Sequence, residues 1–393
     1  RRNEGEESDE RLTECMLAFR QVVAMMQANA GSTANNTTWR WRLQRDEVVQ
    51  SMLATFGSVV QRSHLWRRPV VSFVDRWGVV EAGIDDGGLT AEAYALFWQQ
   101  VLKAEHGLFE QGCEAGGEYL PCANADPAKL ESVGRVLLKS ILDNHPTGAG
   151  LCSFLFEFLC DAHQRRCFER GPREAVRVLA SFDPQLGEQW ARLLDGGAPA
   201  LEGLTRGDVD PFLAGDDVES EAPLTLDNVG ATVLAGCRHK LLESRRASLG
   251  ALRRGFMFKD IDLSLQMAAL SSRHLLLLVR GRVALSAADL LDCFDWDDAA
   301  QTFPPPSRVL NFFHCLIRDE LDEAGRRRLL RWCTARHCLS ADGLSDKITL
   351  TGHPERPSDG SDGDGAGAEE QRLPEAHTCW NEIVLPDYGS FEM

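Results

Sequence analysis

Apolar residues recur at helical spacing along most of this chain. Leu130, Val133, Val136, Leu137 and Ile141 fall at i, i+3, i+6, i+7 and i+11, with Pro127 before them and Pro146 after. That spacing predicts one strong helix, because positions three and four apart share a helix face and proline suits a helix start. Leu12, Met16, Phe19, Val23 and Met26 predict another over 11–28. Similar periodicity predicts helices over 45–60, 91–105 with Thr90 as N-cap, 151–168, 227–253, 263–279, 307–320 and 323–334. Two shorter helical pieces are expected within 173–194, around Asp183-Pro184, and Ser286 with Asp289 reads as a capping pair. Strand-like runs are few and short, at 70–73, 348–350 and 382–385. The pattern therefore predicts an α+β chain, dominated by helix.

Interruptions in the pattern suggest the organisation. Turn-rich windows lie at 29–38, 111–125 and 196–224, and GIDDGGLT at 83–90 reads as a turn entering a helix. The stretch 296–306 combines acids with three consecutive prolines, which cannot continue a helix. A joint is expected there, at 298–306, between a large unit 1–297 and a small unit 307–393. Residues 353–371 are rich in Gly, Asp, Ser and Glu and are expected to be a disordered acidic insert.

Composition narrows the function classes. With 393 residues, 44 % of them hydrophobic, the chain has enough apolar surface for a sizeable core in two to three domains. A formal net charge of -17 repels phosphate backbones, so nucleic acid is a poor candidate partner. The twelve cysteines lack the dense spacing of a disulfide scaffold, and several sit inside apolar helical runs. The charged start has no apolar signal segment, and the run 275–279 is too short to span a bilayer. A reducing location, cytoplasmic or nuclear, is expected. The absence of an initiator Met suggests a fragment.

One segment carries chemistry. LPEAHTCWNEIVL, at 373–385, places Cys379 between His377-Thr378 and Trp380-Asn381, directly after the acidic insert and before a strand. A thiolate suits acyl exchange with another thioester, which is nearly balanced in energy. His377 lies two residues from Cys379, so extended backbone would place both on one side, where the imidazole would lower the thiol pKa or shuttle a proton. Thr378 and Asn381 can donate hydrogen bonds to a developing oxyanion. Trp380 reads as a core anchor. Cys333, His337, Cys338, His377 and Cys379 offer zinc-type ligands, but at no ribbon or finger spacing, so no metal is expected. The glycines of 83–88 form neither a dinucleotide fingerprint nor a P-loop.

The loop resembles the catalytic loop of the HECT family of ubiquitin ligases. Further stretches resemble that family in its order: VSFVDRWGVVEAGIDDGGLTAEAYALFWQQV at 71–101, LESVGRVLLKSILDN at 130–144, LASFDPQLGEQWARLL at 179–194, LGALRRGF at 249–256, the segment 271–297, and VLNFFHCLIRDELDEAGRRRLLRWCTARHCLSADGL at 309–344. The resemblance implies a bilobal domain, with a helical N-lobe, a flexible hinge, and a small C-lobe bearing Cys379. It implies a small E2-binding subdomain at about 150–225, with Phe154, Phe156, Phe158, Leu179 and Leu186 as candidates for its docking surface. The implied partners are a charged E2 ubiquitin-conjugating enzyme, ubiquitin and a protein substrate, with no cofactor. Against the family pattern, Trp380 stands where phenylalanine is usual, and Cys333-Thr334-Ala335 where a glycine-containing segment is usual. The family continues into a final helix and tail, so a chain stopping at Met393 is expected to transfer less efficiently. The competing expectation is a non-catalytic interaction module that keeps the HECT fold.

Overall fold

The structure, a computed structural model, describes residues 9–32, 37–57, 62–113, 116–148, 150–160, 166–209, 220–257, 270–282, 284–344, 346–352 and 373–386. In chain order, α1 is Asp9–Ser32, β1 Thr38–Gln44, α2 Val48–Thr55, β2 Arg68–Val74, α3 Gly88–Val101, α4 Pro127–Leu142 and α5 Ser153–Cys160. Then come α6 Pro172–Phe182, α7 Pro184–Asp195, α8 Val229–Leu241, α9 Arg246–Phe256 and α10 Ser272–Arg280. The last part holds α11 Ala287–Leu291, α12 Trp296–Thr302, α13 Val309–Cys315, α14 Glu323–Thr334, β3 Thr349–Gly352, β4 Glu375–His377 and β5 Glu382–Leu385. Among the described residues the mixture is α+β, as the pattern predicts. The acidic insert expected at 353–371 lies outside the described residues.

Helix α4 is the axis of the larger part. Asp126 caps it, accepting from the Ala128 and Lys129 amides, and Pro127 follows at the position where a missing N–H does no harm. Every residue from Ser132 to Leu142 is buried. Polar members of such a helix need partners inside the core. Arg135 donates to the Phe56 and Gly57 carbonyls, and Lys139 donates to the Arg67 carbonyl at 2.9 Å and pairs with Asp143. Tyr94 donates to the same Asp143 carboxylate at 2.8 Å. Burial pulls the Lys139 ammonium below its ordinary value and the Asp143 carboxyl above its own, while their mutual attraction opposes both shifts. Replacing one partner of such a pair leaves an uncompensated buried charge. Lys139→Met is expected to lower unfolding free energy by about 3 kcal/mol, and Lys139→Met/Asp143→Asn to recover part of that loss. Urea midpoints check this, and a double variant as unstable as the sum of the singles would show that the pair is not coupled.

His145, stacked on Tyr94 with ring centroids 5.0 Å apart, is buried beside the same group. Burial pushes its pKa well below the ordinary histidine value, and Arg336, Lys139 and Arg20 add repulsion. The sign follows directly. The unfolded chain takes up this proton near pH 6.5, whereas the folded chain resists it to lower pH, so stability is intact above about 6.5 and is lost as pH falls below it. His145→Phe keeps the ring and cannot protonate. The stability difference between wild type and variant is expected to change between about pH 7.5 and 5, to the disadvantage of wild type. Parallel stability profiles would refute it.

Two buried clusters divide the described chain. The first runs from Met16 to Val279, and the second gathers residues from Leu285 to Leu385. The stretch expected as the joint is part of one of these cores. Residues 298–306 lie within the second cluster, where Ala299 and Phe303 are buried. The acids of 295–298 start a helix instead of breaking one: Asp295 caps α12, accepting from the Asp298 amide, and acids in a first turn suit the helix dipole. The passage between clusters falls between Val279 and Leu285. Thr90 is likewise not the cap of α3, which begins two residues earlier behind Gly87. Ser286 and Asp289 do form a reciprocal capping box.

The sheets are small. Strands β1 and β2 pair in parallel, with Trp41 opposite Val71 and Leu43 opposite Phe73. In the second cluster β5 is central, parallel to β3 and antiparallel to β4.

Candidate functional site

Strands β4 and β5 form a hairpin whose tip is the cysteine loop. His377 pairs with Glu382, which leaves Thr378 to Asn381 as a four-residue connection. The Trp380 amide closes it, donating to the His377 carbonyl at 3.0 Å. Asn381 takes a φ of 48°, in the left-handed region that asparagine tolerates better than most residues. Its side-chain amide donates to the Asp346 carbonyl, and its own carbonyl accepts from Thr349. Ile383, Val384 and Leu385 are buried and fix the hairpin's base. A rigid strand therefore carries a half-exposed thiol at its end.

The tip meets the first cluster. Cys379 Sγ donates to the Ile84 carbonyl at 3.2 Å. Ile84 begins the turn 84–88, which leads into α3. The Asp85 carboxylate organises that turn by accepting from the Val71 amide at 2.6 Å, the Gly87 amide at 3.0 Å, the Thr90 amide at 3.2 Å and the Thr90 hydroxyl at 2.6 Å. Beside the thiol lies a cavity of about 1040 Å³, whose lining includes Thr378, Cys379, Trp380, Arg68, Asp86 and Asn144. At its rim, Arg20 of α1 pairs with Asp342 at 3.2 Å and donates to Asn144 Oδ1 at 2.6 Å, and Arg336 donates to the Asn144 carbonyl at 2.8 Å. Asn144 is left-handed as well, at φ 56°. Burial lowers both guanidinium pKa values, which the nearby Asp342 opposes.

The sequence candidates separate on inspection. Cys379 and Thr378 do lie together against the turn. His377 and Trp380 form a tilted ring pair with centroids 6.0 Å apart, and no hydrogen bond joins His377 to Cys379 among the described residues. Asn381 spends its amide on the Asp346 carbonyl, which leaves it holding the loop's shape. Trp380 is no core anchor: it is 65 % exposed at the hairpin tip. The turn at 83–90 is visible in the sequence, but nothing in the sequence says that it faces Cys379.

The docking candidates need correction too. Phe154, Phe156, Phe158 and Leu179 are buried in the first cluster and offer no surface to a partner. Helix α5 is covered on both sides, and Phe154 packs against Phe158 and Phe168 at 6.5 and 5.9 Å. Leu186 is partly buried and packs on the same core. The zinc-type residues do not assemble into a cluster among the described residues: Cys333 Sγ donates to the Leu329 carbonyl, and His337 bonds Gln99.

With this geometry in view, the comparisons are decisive about family. The family model described as HECT-domain (ubiquitin-transferase) matches residues 95–393, and the chain belongs to the HECT family. Among similar proteins, a "Bifunctional serine/threonine-protein kinase/NEDD4-like E3 ubiquitin-protein ligase" of Dictyostelium discoideum is 26 % identical over 266 residues, covering 66 % of this chain and 12 % of its own length. "E3 ubiquitin-protein ligase ptr1" of Schizosaccharomyces pombe is 23 % identical over 79 % of this chain and 9 % of its own length. "Probable E3 ubiquitin-protein ligase hulA" of Aspergillus fumigatus is 23 % identical over 79 % of this chain and 37 % of its own. The chain thus spans well under half of the curated relatives it matches.

Proposed function

We propose that this chain is the transferase part of an E3 ubiquitin-protein ligase, and that Cys379 accepts ubiquitin from a charged E2 and passes it to a substrate lysine. The observation that carries this reading is the half-exposed Cys379 thiol at the tip of a strand-anchored hairpin, opening onto the cleft between two cores. The remaining steps follow from thiol chemistry. Cys379, as thiolate, attacks the carbonyl carbon of the E2–ubiquitin thioester. A new S–C bond forms, the bond to the E2 sulfur breaks, and the E2 leaves as a thiolate that takes a proton from solvent. A substrate lysine amine then attacks the new thioester, an amide forms, and the Cys379 thiol is regenerated. No cofactor enters either step.

Sulfur-to-sulfur transfer requires the two cysteines to meet and then part, so the second cluster must move as a body. We place its joint after Val279, the last residue of the first buried cluster, and before Leu285, the first of the second. The E2, ubiquitin and a protein substrate are the partners of this reading. No helix among the described residues is long and apolar enough to cross a membrane. The test is to mix the purified protein with E1, a panel of E2s and ubiquitin, and to resolve the products without reductant. The reading expects an adduct one ubiquitin heavier that reductant removes. Absence of any adduct, with every E2 and with a chain extended past Met393, would favour an interaction module that keeps the fold without the activity.

A further inference from the structure

Resting on the reading of Cys379 as the ubiquitin acceptor, the seat of its thiol bears on when that thiol can react. Its thiol is spent as a donor to the Ile84 carbonyl at 3.2 Å. The adjoining backbone is equally close: a Cβ on Gly88 would lie 2.8 Å from Thr378 Oγ1, 3.0 Å from the Thr378 carbonyl carbon and 3.1 Å from the Cys379 amide nitrogen. Only a residue without a side chain allows the hairpin this near. The turn cannot easily give way, because Asp85 ties it to β2 and to the first turn of α3. Also lining the cleft, Arg20 and Asp342 join α1 to the segment after α14.

We propose that the turn 84–88 is a restraint on Cys379, holding the thiol in a resting position that must be released before ubiquitin is accepted. A carbonyl oxygen accepts from S–H but has no hydrogen to offer a sulfur anion, and the anion is the attacking species. The turn also closes one side of the sulfur to an incoming thioester. The contact is therefore made with the resting thiol and is lost when the sulfur reacts. Release needs no change inside either cluster, since the contact lies between them.

Gly88→Ala isolates this contact. Gly88 is the first residue of α3 and is not among the residues with positive φ, so alanine fits its backbone and favours the helix. The added methyl meets Thr378 and Cys379 and must push the hairpin away. Two rates are to be measured: alkylation of Cys379 by iodoacetamide, followed by peptide mass mapping, and single-turnover charging from an E2–ubiquitin thioester. Both are expected to rise about fivefold, the factor that loss of one neutral hydrogen bond gives. Asp342→Asn, which removes the Arg20–Asp342 tie across the cleft's lining, is expected to raise alkylation in the same direction. An unchanged or slower alkylation of Gly88→Ala, with native circular dichroism, would overturn the restraint. Faster alkylation without charging in any variant would uphold the restraint and sink only the assignment of Cys379 as ubiquitin acceptor.

Discussion

Cys379→Ala is expected to abolish the reductant-sensitive ubiquitin adduct, a loss of at least about a thousandfold in transfer, the scale on which enzymes suffer when a covalent nucleophile is removed. Six of the other cysteines are poor substitutes. Burial pushes the Cys152, Cys293 and Cys338 thiols up to about 11 and those of Cys237 and Cys333 up to about 12, so they stay protonated and inaccessible near neutral pH. Cys122, half-buried beside Glu110, is also raised to about 11. Cys379→Ser gives the sharper result. A hydroxyl accepts the acyl group slowly, but the oxyester it forms is more stable than a thioester. A weak adduct that survives reductant and is cleaved by base is therefore expected. An alanine variant that still forms the thiol-sensitive adduct would move the nucleophile to another cysteine and refute the assignment.

Gly255→Ala is expected to destabilise the fold strongly, with Gly134→Ala close behind. Helices α4 and α9 cross where these two glycines face each other's backbone. A Cβ on Gly255 would run into the Glu131 carbonyl oxygen, and one on Gly134 into the Leu252 carbonyl oxygen. Both obstacles are main-chain atoms, which no rotamer change can move. The helices would have to separate, opening the core around Val133, Leu137, Leu252 and Phe256. A loss of about 3 kcal/mol or more is expected for each, despite the roughly 1 kcal/mol that alanine gains over glycine in a helix. The double variant should fall short of the sum, because the first methyl already forces the helices apart. Urea unfolding decides the matter: a variant within about 0.5 kcal/mol of wild type would show that the crossing tolerates a methyl.

Much of the helical framework is legible in the sequence. The apolar spacing of α4, the Ser286–Asp289 box and the strand after Cys379 are local signals, and local hydrogen bonding realises them as read. Strand β1 is not marked by the hydrophobic pattern, although Arg40, Trp41, Arg42 and Leu43 alternate. Its two buried residues, Trp41 and Leu43, are too few to stand out without the partner strand β2. The prolines and acids near 300 looked like a boundary because proline signals only that a helix stops. Whether a stop is also a domain border depends on which core covers Ala299 and Phe303. The phenylalanines of α5 posed a similar ambiguity, since an aromatic run suits a core and a docking face equally well. Packing against Phe168 and the neighbouring helices resolved it.

By itself, then, the sequence determined a helix-rich α+β chain and pointed to one cysteine loop, because periodicity, capping and the residues flanking a thiol are written in adjacent positions. Only the tertiary structure decided where the two cores divide, which aromatics are covered, and what the thiol faces. The thiol faces a main-chain carbonyl, the Ile84 oxygen, brought near from 295 positions away in the chain. Every residue carries such an oxygen, so no side-chain pattern can mark the one that folding will bring to Cys379.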